Sequence, residues 1–139
     1  LKKRKNFRAA FDDFDPEKVA RYGKPQVNRL LKDAGIIRSQ AKINGAITNA
    51  KAWLEIVEQG AGSFDDFLWK HVDHHTIVNR WKVDSQIPAS TPISEAMAKD
   101  LKKHNFKFVG PTICYAFMQA VGMVNDHVVS CPRHKFLSA

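Results

Sequence analysis

Apolar positions recur at steps of three and four along most of the chain, which is the spacing of one face of an α-helix. Phe7, Ala10, Phe11 and Phe14 set the first such face and predict a helix to about Phe14. Asp15-Pro16-Glu17 reads as a helix start. Asp15 can accept from free N–H groups, and Pro16 at the first helical position forfeits no bond. Tyr22-Gly23-Lys24-Pro25 breaks the pattern, and Val27, Leu30 and Leu31 give a short helix that stops at Gly35. Ile43, Ile47, Ala50, Leu54 and Val57 predict a longer helix ending near Gly60. Ser63 with Asp66 resembles a cap for a short helix carrying Phe64, Phe67 and Leu68.

From Val72 to Pro92 the periodicity fails, and a surface connection is expected that is longer than the usual loop. Helical spacing returns with Ser94, Met97 and Leu101, and a last long helix is predicted from Gly110-Pro111 to Gly122. No segment alternates as a strand should, and no repeat of solenoid length occurs. The predicted fold class is all-α, with residues 1–139 forming one domain.

Composition narrows the class. Apolar residues make up 44% of the 139, enough for a core and too many for a disordered chain. No apolar run approaches the roughly 18 residues of a membrane span. Cys114 and Cys131 are too few for a secreted disulfide scaffold, and no signal peptide is read, so a soluble intracellular protein is expected. The 22 Lys or Arg against 14 Asp or Glu leave a net +8. That surplus fits a polyanionic partner such as nucleic acid, and equally a charge that serves solubility. It is uneven: residues 1–60 hold 13 basic and 7 acidic side chains, residues 61–139 hold 9 and 7.

The segment from Met97 to Gly122 carries the most informative pattern. A helix ends near His104-Asn105, and Phe106-Lys107-Phe108-Val109-Gly110 leads to Pro111 and a second helix. Gly110 permits close backbone approach, and the first N–H groups of the second helix lack intrahelical acceptors. They sit at the positive end of the helix dipole, where a phosphate oxygen is favoured. Lys99, Lys102, Lys103 and Lys107 would add attraction. These features describe a helix-hairpin-helix at about 94–122, which grips phosphate without reading a base. They also describe an ordinary helix–loop–helix corner with solvated lysines.

Other residues leave alternatives open. His127 and Cys131 stand four apart; on a helix they would share a face, and their nitrogen and sulfur suit zinc. Two ligands fall short of a structural four, so an incidental pair is the competing reading. Asp12, Asp13, Asp65, Asp66 and Asp100 read as solvated or capping. Trp53, Trp69 and Trp81 could stack on a base or simply pack. Cys114 reads as a small buried hydrophobe, and His71, His74 and His75 as incidental.

The stretch from Phe106 to Cys131, FKFVGPTICYAFMQAVGMVNDHVVSC, resembles the C-terminal part of the DNA-3-methyladenine glycosylase I family. LKKRKNFRAAFDDFDPEKVA, LLKDAGIIRSQAKINGAITNA and FDDFLWKHV fall in that family's order, so the resemblance covers essentially the whole chain. It implies a helix-hairpin-helix DNA glycosylase-like helical domain, and a monofunctional enzyme of base excision repair. Its partners would be alkylated double-stranded DNA and the flipped 3-methyladenine, in a bacterial-type cytoplasm, with no membrane and a monomer for the intact protein. On this basis Phe108, Val109, Gly110 and Thr112 are expected to make the hairpin's backbone contacts and Lys107 to meet a phosphate. Tyr115 and Ala116 would lie near the base pocket, Ala116 where some members carry Ser. The resemblance makes His127 and Cys131 two ligands of a structural Zn²⁺ whose other ligands lie near the family's N-terminus. His134 and Cys114 are the substitutes this chain could offer.

The superfamily's usual Asp falls at Asn125 in Val124-Asn125-Asp126-His127. An amide cannot act as a carboxylate, and Asp126, one residue along, would point elsewhere on a helix. The family is held to do without that Asp, recognising the base with a Glu from its N-terminal portion, upstream of Leu1. No catalytic residue is therefore assigned. The start at Leu1, running straight into Lys2-Lys3-Arg4-Lys5, reads as a truncation of the N-terminal part. The alternative function is accordingly a non-catalytic DNA-binding fragment.

Overall fold

Most helices form where the periodicity places them, and caps set several of their ends. The computed structural model describes residues 2–60 and 62–138. The helices are α1 (Arg4–Ala10), α2 (Pro16–Ala20), α3 (Lys24–Leu31), α4 (Gln40–Val57), α5 (Ser63–Trp69), α6 (Pro92–Lys103), α7 (Pro111–Val121) and α8 (Pro132–Leu137). The chain divides into two compact units. One is Leu1–Ser63 with Lys103–Phe108, and the other is Phe64–Lys102 with Val109–Ala139.

In the first unit Asp15 caps α2 as expected, accepting from the N–H of Glu17 at 3.0 Å and of Lys18 at 3.4 Å. The first helix is shorter than its periodicity suggests. It stops at Ala10, and Asp12–Phe14 form a tight turn in which all three residues have positive φ. Phe11 stays buried while Phe14 turns outward, so the apolar spacing overran the helix by one step. The Tyr22 hydroxyl donates to the Asp12 carboxylate across this turn. Burial, then the bond to Asp12 and its charge, push the Tyr22 pKa up to about 12. Phe11, Val19, Leu30, Ile36, Ile43 and Ile47 form the core of this unit. Helix α4 begins where Ser39 Oγ accepts from the Lys42 N–H at 3.4 Å.

The second unit contains the segment that had no helical signal. Within it lies β1 (Ile77–Val78), which pairs in parallel with β2 (Val124–Asn125), Ile77 opposite Val124. The N–H of Ile77 donates to Met123 O at 2.9 Å and that of Asn79 to Asn125 O at 3.1 Å. This corrects the expectation of no strand: two residues are too few to show alternation. The all-α class otherwise stands. At the start of α6, Ser94 Oγ accepts from the Thr91 N–H at 2.9 Å and its own N–H donates to Thr91 Oγ1 at 3.3 Å. Met97, Met118, Met123 and Tyr115 are almost wholly buried. Helix α7 ends before Gly122, whose φ of +83° is the left-handed geometry that stops a helix. Helix α8, which the periodicity did not announce, follows Cys131. Among the described residues no helix is long and apolar enough to cross a membrane.

Candidate nucleic-acid interface and its supporting network

Between α6 and α7 the chain makes the short connection the sequence predicts. Phe106 is buried, Lys107 and Phe108 are exposed, and Val109 and Gly110 are half-buried. Asn105 at φ +70° and Phe108 at φ +59° both take the left-handed conformation. The main chain of Lys107 is held on both sides by one side chain: its N–H donates to Asn49 Oδ1 at 2.6 Å, and Asn49 Nδ2 donates to its carbonyl at 3.0 Å.

Gly110 is the N-cap of α7, with φ −66° and ψ 167°, extended backbone that any residue could adopt. A Cβ built there meets nothing within 4 Å. The glycine is thus not required by packing inside the protein, and it leaves open space beside the helix end. It offers no side chain to cap α7, and Pro111 has no N–H. The N–H groups of Thr112 and Ile113 are left for an outside acceptor, and both residues are exposed. Such a terminus suits an anion.

Tyr115 and Ala116, adjacent on α7, have opposite surroundings. Ala116 is exposed, whereas Tyr115 is buried with 1% of its surface accessible and donates its hydroxyl to Asp126. Asp126 gathers three further donors. Its Oδ1 accepts from Asn79 Nδ2 at 2.7 Å and Trp81 Nε1 at 2.8 Å, and its Oδ2 from Gln119 Nε2 at 3.0 Å. The expectation that Asp126 would point aside on a helix fails, because residue 126 follows β2 and lies on no helix. Burial pushes its carboxyl up, but hydrogen bonds from Tyr115, Gln119, Trp81 and Asn79 together hold it below the ordinary carboxylate value. Burial, the bond to Asp126 and its charge raise the Tyr115 hydroxyl well above its usual range. A carboxylate has about four acceptor sites, so this one has none to spare for a reacting group. Trp81, considered as a stacking residue, spends its indole N–H here.

Asn125 is also buried and structural. Its Nδ2 donates to His134 O and Ser138 Oγ, both at 3.0 Å, and its Oδ1 accepts from the His127 N–H at 3.3 Å. An amide both donates and accepts here, as a carboxylate could not. Asn125 is therefore used to hold α8.

His127 and Cys131 do not share a helix face, since 126–131 lies outside any helix. The turn nonetheless brings His127 Nδ1 and Cys131 Sγ to 3.9 Å. Two such donors on one tetrahedral zinc stand about 3.6 Å apart, so the pair fits half of a site. Among the described residues no group of three or more His, Cys, Asp or Glu gathers to complete it. His134 Nε2 is within 2.6 Å of Asn79 O, and the buried Cys114 thiol donates to Val109 O at 3.5 Å, so neither substitute joins the pair. Asp100, expected to be solvated or capping, instead meets Lys70 Nζ at 2.9 Å and lies 3.2 Å from His71 Nε2.

Comparison with known proteins places this arrangement. The profile of the methyladenine glycosylase family matches residues 1–134. The chain is 54% identical over 131 residues to the DNA-3-methyladenine glycosylase 1 of Escherichia coli, covering 94% of this chain and 70% of that protein. It superposes on a crystal structure of 3-methyladenine DNA glycosylase I with a TM-score of 0.88 at 51% identity, over 94% of this chain and 71% of that one. A variant of a 3-methyladenine DNA glycosylase I solved in complex with 3-methyladenine gives a TM-score of 0.87 at 32% identity, over 94% and 70%.

Proposed function

The chain belongs to the methyladenine glycosylase family, and from that membership we propose that it excises 3-methyladenine from alkylated double-stranded DNA in base excision repair. The observation that carries this reading is the likeness to a relative solved with 3-methyladenine bound. The reaction is hydrolysis of the N-glycosidic bond. The bond electrons leave with the base, whose methylation already makes it cationic, so departure neutralises it. Water supplies the new C1′–O bond and gives its proton to solvent, leaving a free base and an abasic site. Because the leaving group is activated, little further push is needed. That agrees with an amide at Asn125 and a fully engaged carboxylate at Asp126.

The described residues contribute the grip on DNA. In this reading the connection from Lys107 to Thr112 is the hairpin of a helix-hairpin-helix. The amides of Val109, Gly110 and Thr112 face a phosphate, Phe108 shapes the turn, and Lys107 supplies a charge. Ala116 stands beside the flipped base, and Tyr115, being buried, supports that side of α7 from within. The setting is a bacterial cytoplasm, and the protein acts as a monomer. The test is to identify the base released from alkylated duplex. Free 3-methyladenine with an unbroken strand is expected, and its absence with duplex binding retained would favour the non-catalytic DNA-binding reading.

We further propose that His127 and Cys131 supply two ligands of a structural Zn²⁺, which when bound ties chain segments together. No step of bond cleavage is assigned to it. Replacing Cys131 by Ser should weaken zinc retention in a chelator competition by at least about tenfold, and unchanged retention would remove the assignment.

A further inference from the structure

Helix α4 contains a glycine in mid-helix, Gly45, where glycine costs about 1 kcal/mol relative to alanine. The reason lies 63 positions further along the chain. A Cβ at Gly45 would stand 2.6 Å from Phe108 Cε2 and 2.8 Å from Cδ2. The Phe108 ring therefore rests directly on the bare α4 backbone, while 55% of its surface stays accessible. One turn along, on the same face of α4, Asn49 makes the two-way amide bridge to the Lys107 main chain. These two contacts converge on the two residues of the hairpin where the backbone turns left-handed at Phe108. A non-glycine residue resists that conformation by roughly 1–2 kcal/mol, so an external hold is needed to keep it.

We propose that Gly45 and Asn49 are positioning residues for DNA binding: they form a socket on α4 that fixes Lys107 and Phe108 in the phosphate-gripping shape before DNA arrives. This rests on the reading of the hairpin as the DNA grip. The socket touches no reacting atom. Its loss should weaken duplex binding by lowering the populated fraction of the competent loop, and should leave cleavage of bound substrate alone. It removes no phosphate contact, so it should leave the salt dependence alone as well.

The experiment measures KM and kcat for 3-methyladenine release, and the salt dependence of duplex binding, in Asn49→Ala, Lys107→Ala, Gly45→Ala, Phe108→Ala and the double variant Gly45→Ala/Phe108→Ala. Asn49→Ala is expected to raise KM about tenfold, which corresponds to the loss of a hydrogen-bonded hold. Its kcat should stay within about twofold and its salt slope unchanged, whereas Lys107→Ala should lower the slope by about one. Gly45→Ala should weaken binding in the natural background and cost nothing further once Phe108 is Ala, because the clash is with that ring. This pairing decides the matter even if Asn49→Ala fails to fold. Equal losses from Gly45→Ala with and without the Phe108 ring, or an Asn49→Ala that binds duplex normally while Lys107→Ala does not, would overturn the socket and leave the hairpin reading intact. Normal binding by Lys107→Ala together with a bulky Gly110 variant would instead sink the hairpin reading itself.

Discussion

Asp126 shows how much a single carboxylate can organise when every acceptor site is filled. Asn79 and Trp81 follow β1, Tyr115 and Gln119 lie on α7, and all four donate to it. Replacing it with Asn leaves one oxygen for four donors and sets an NH₂ group against them. Asp126→Asn should therefore lose about 2–4 kcal/mol of stability, read as a lower midpoint in urea. The pH dependence has a defined sign. The folded carboxyl is held below its ordinary value, so its contribution is complete above the unfolded value and is lost as pH falls through the folded one. Acid melting of the natural protein should show this loss, and Asp126→Asn should flatten it. No sequence pattern exposes such a hub. Its donors stand 7 to 47 positions away, and only the fold joins them. The amide staple of Asn49 on Lys107, 58 positions apart, was hidden for the same reason.

At the level of elements, local chemistry was legible and long-range pairing was not. Asp15-Pro16 and Gly110-Pro111 announced helix starts because a cap and a missing N–H act within a few residues. The pair β1 with β2 could not be read, since each strand is two residues long and its partner lies 47 positions away. The ends of α7 offer a paired prediction. Gly122 sits at φ +83° and Gly110 at φ −66°, and neither would meet a neighbouring atom on gaining a Cβ. Gly122→Ala should thus cost about 1 kcal/mol through backbone conformation alone. Gly110→Ala should stay within about 0.5 kcal/mol. Thermal melts of both variants check the contrast, and a large loss at Gly110 would mean that packing, not ligand approach, explains that glycine.

For the whole molecule, the net +8 is concentrated in residues 1–60, and under the proposed grip that charge would attract DNA at a distance while the start of α7 would meet a phosphate. The two respond differently to ionic strength, since counterion release makes log affinity fall linearly with log salt. Duplex binding should weaken steadily with added salt, and anisotropy titrations at several concentrations give the slope. A flat response would contradict a phosphate-based grip. Charge and length alone left nucleic acid and mere solubility level. The stretch from Phe106 to Cys131 broke that tie through its resemblance to a glycosylase family, since the glycine, proline and lysine at the helix start fit an ordinary helix–loop–helix corner equally well.

The central claim joins this grip to one excision reaction, and single-turnover release from alkylated duplex tests both at once. The natural protein should liberate 3-methyladenine. Gly110→Leu, whose side chain enters open space in the free protein, should remain folded and release the same base at saturating enzyme, but need at least about tenfold more protein to reach half its maximal rate. No 3-methyladenine from the natural protein, or an unshifted half-saturation point for Gly110→Leu, would contradict the account.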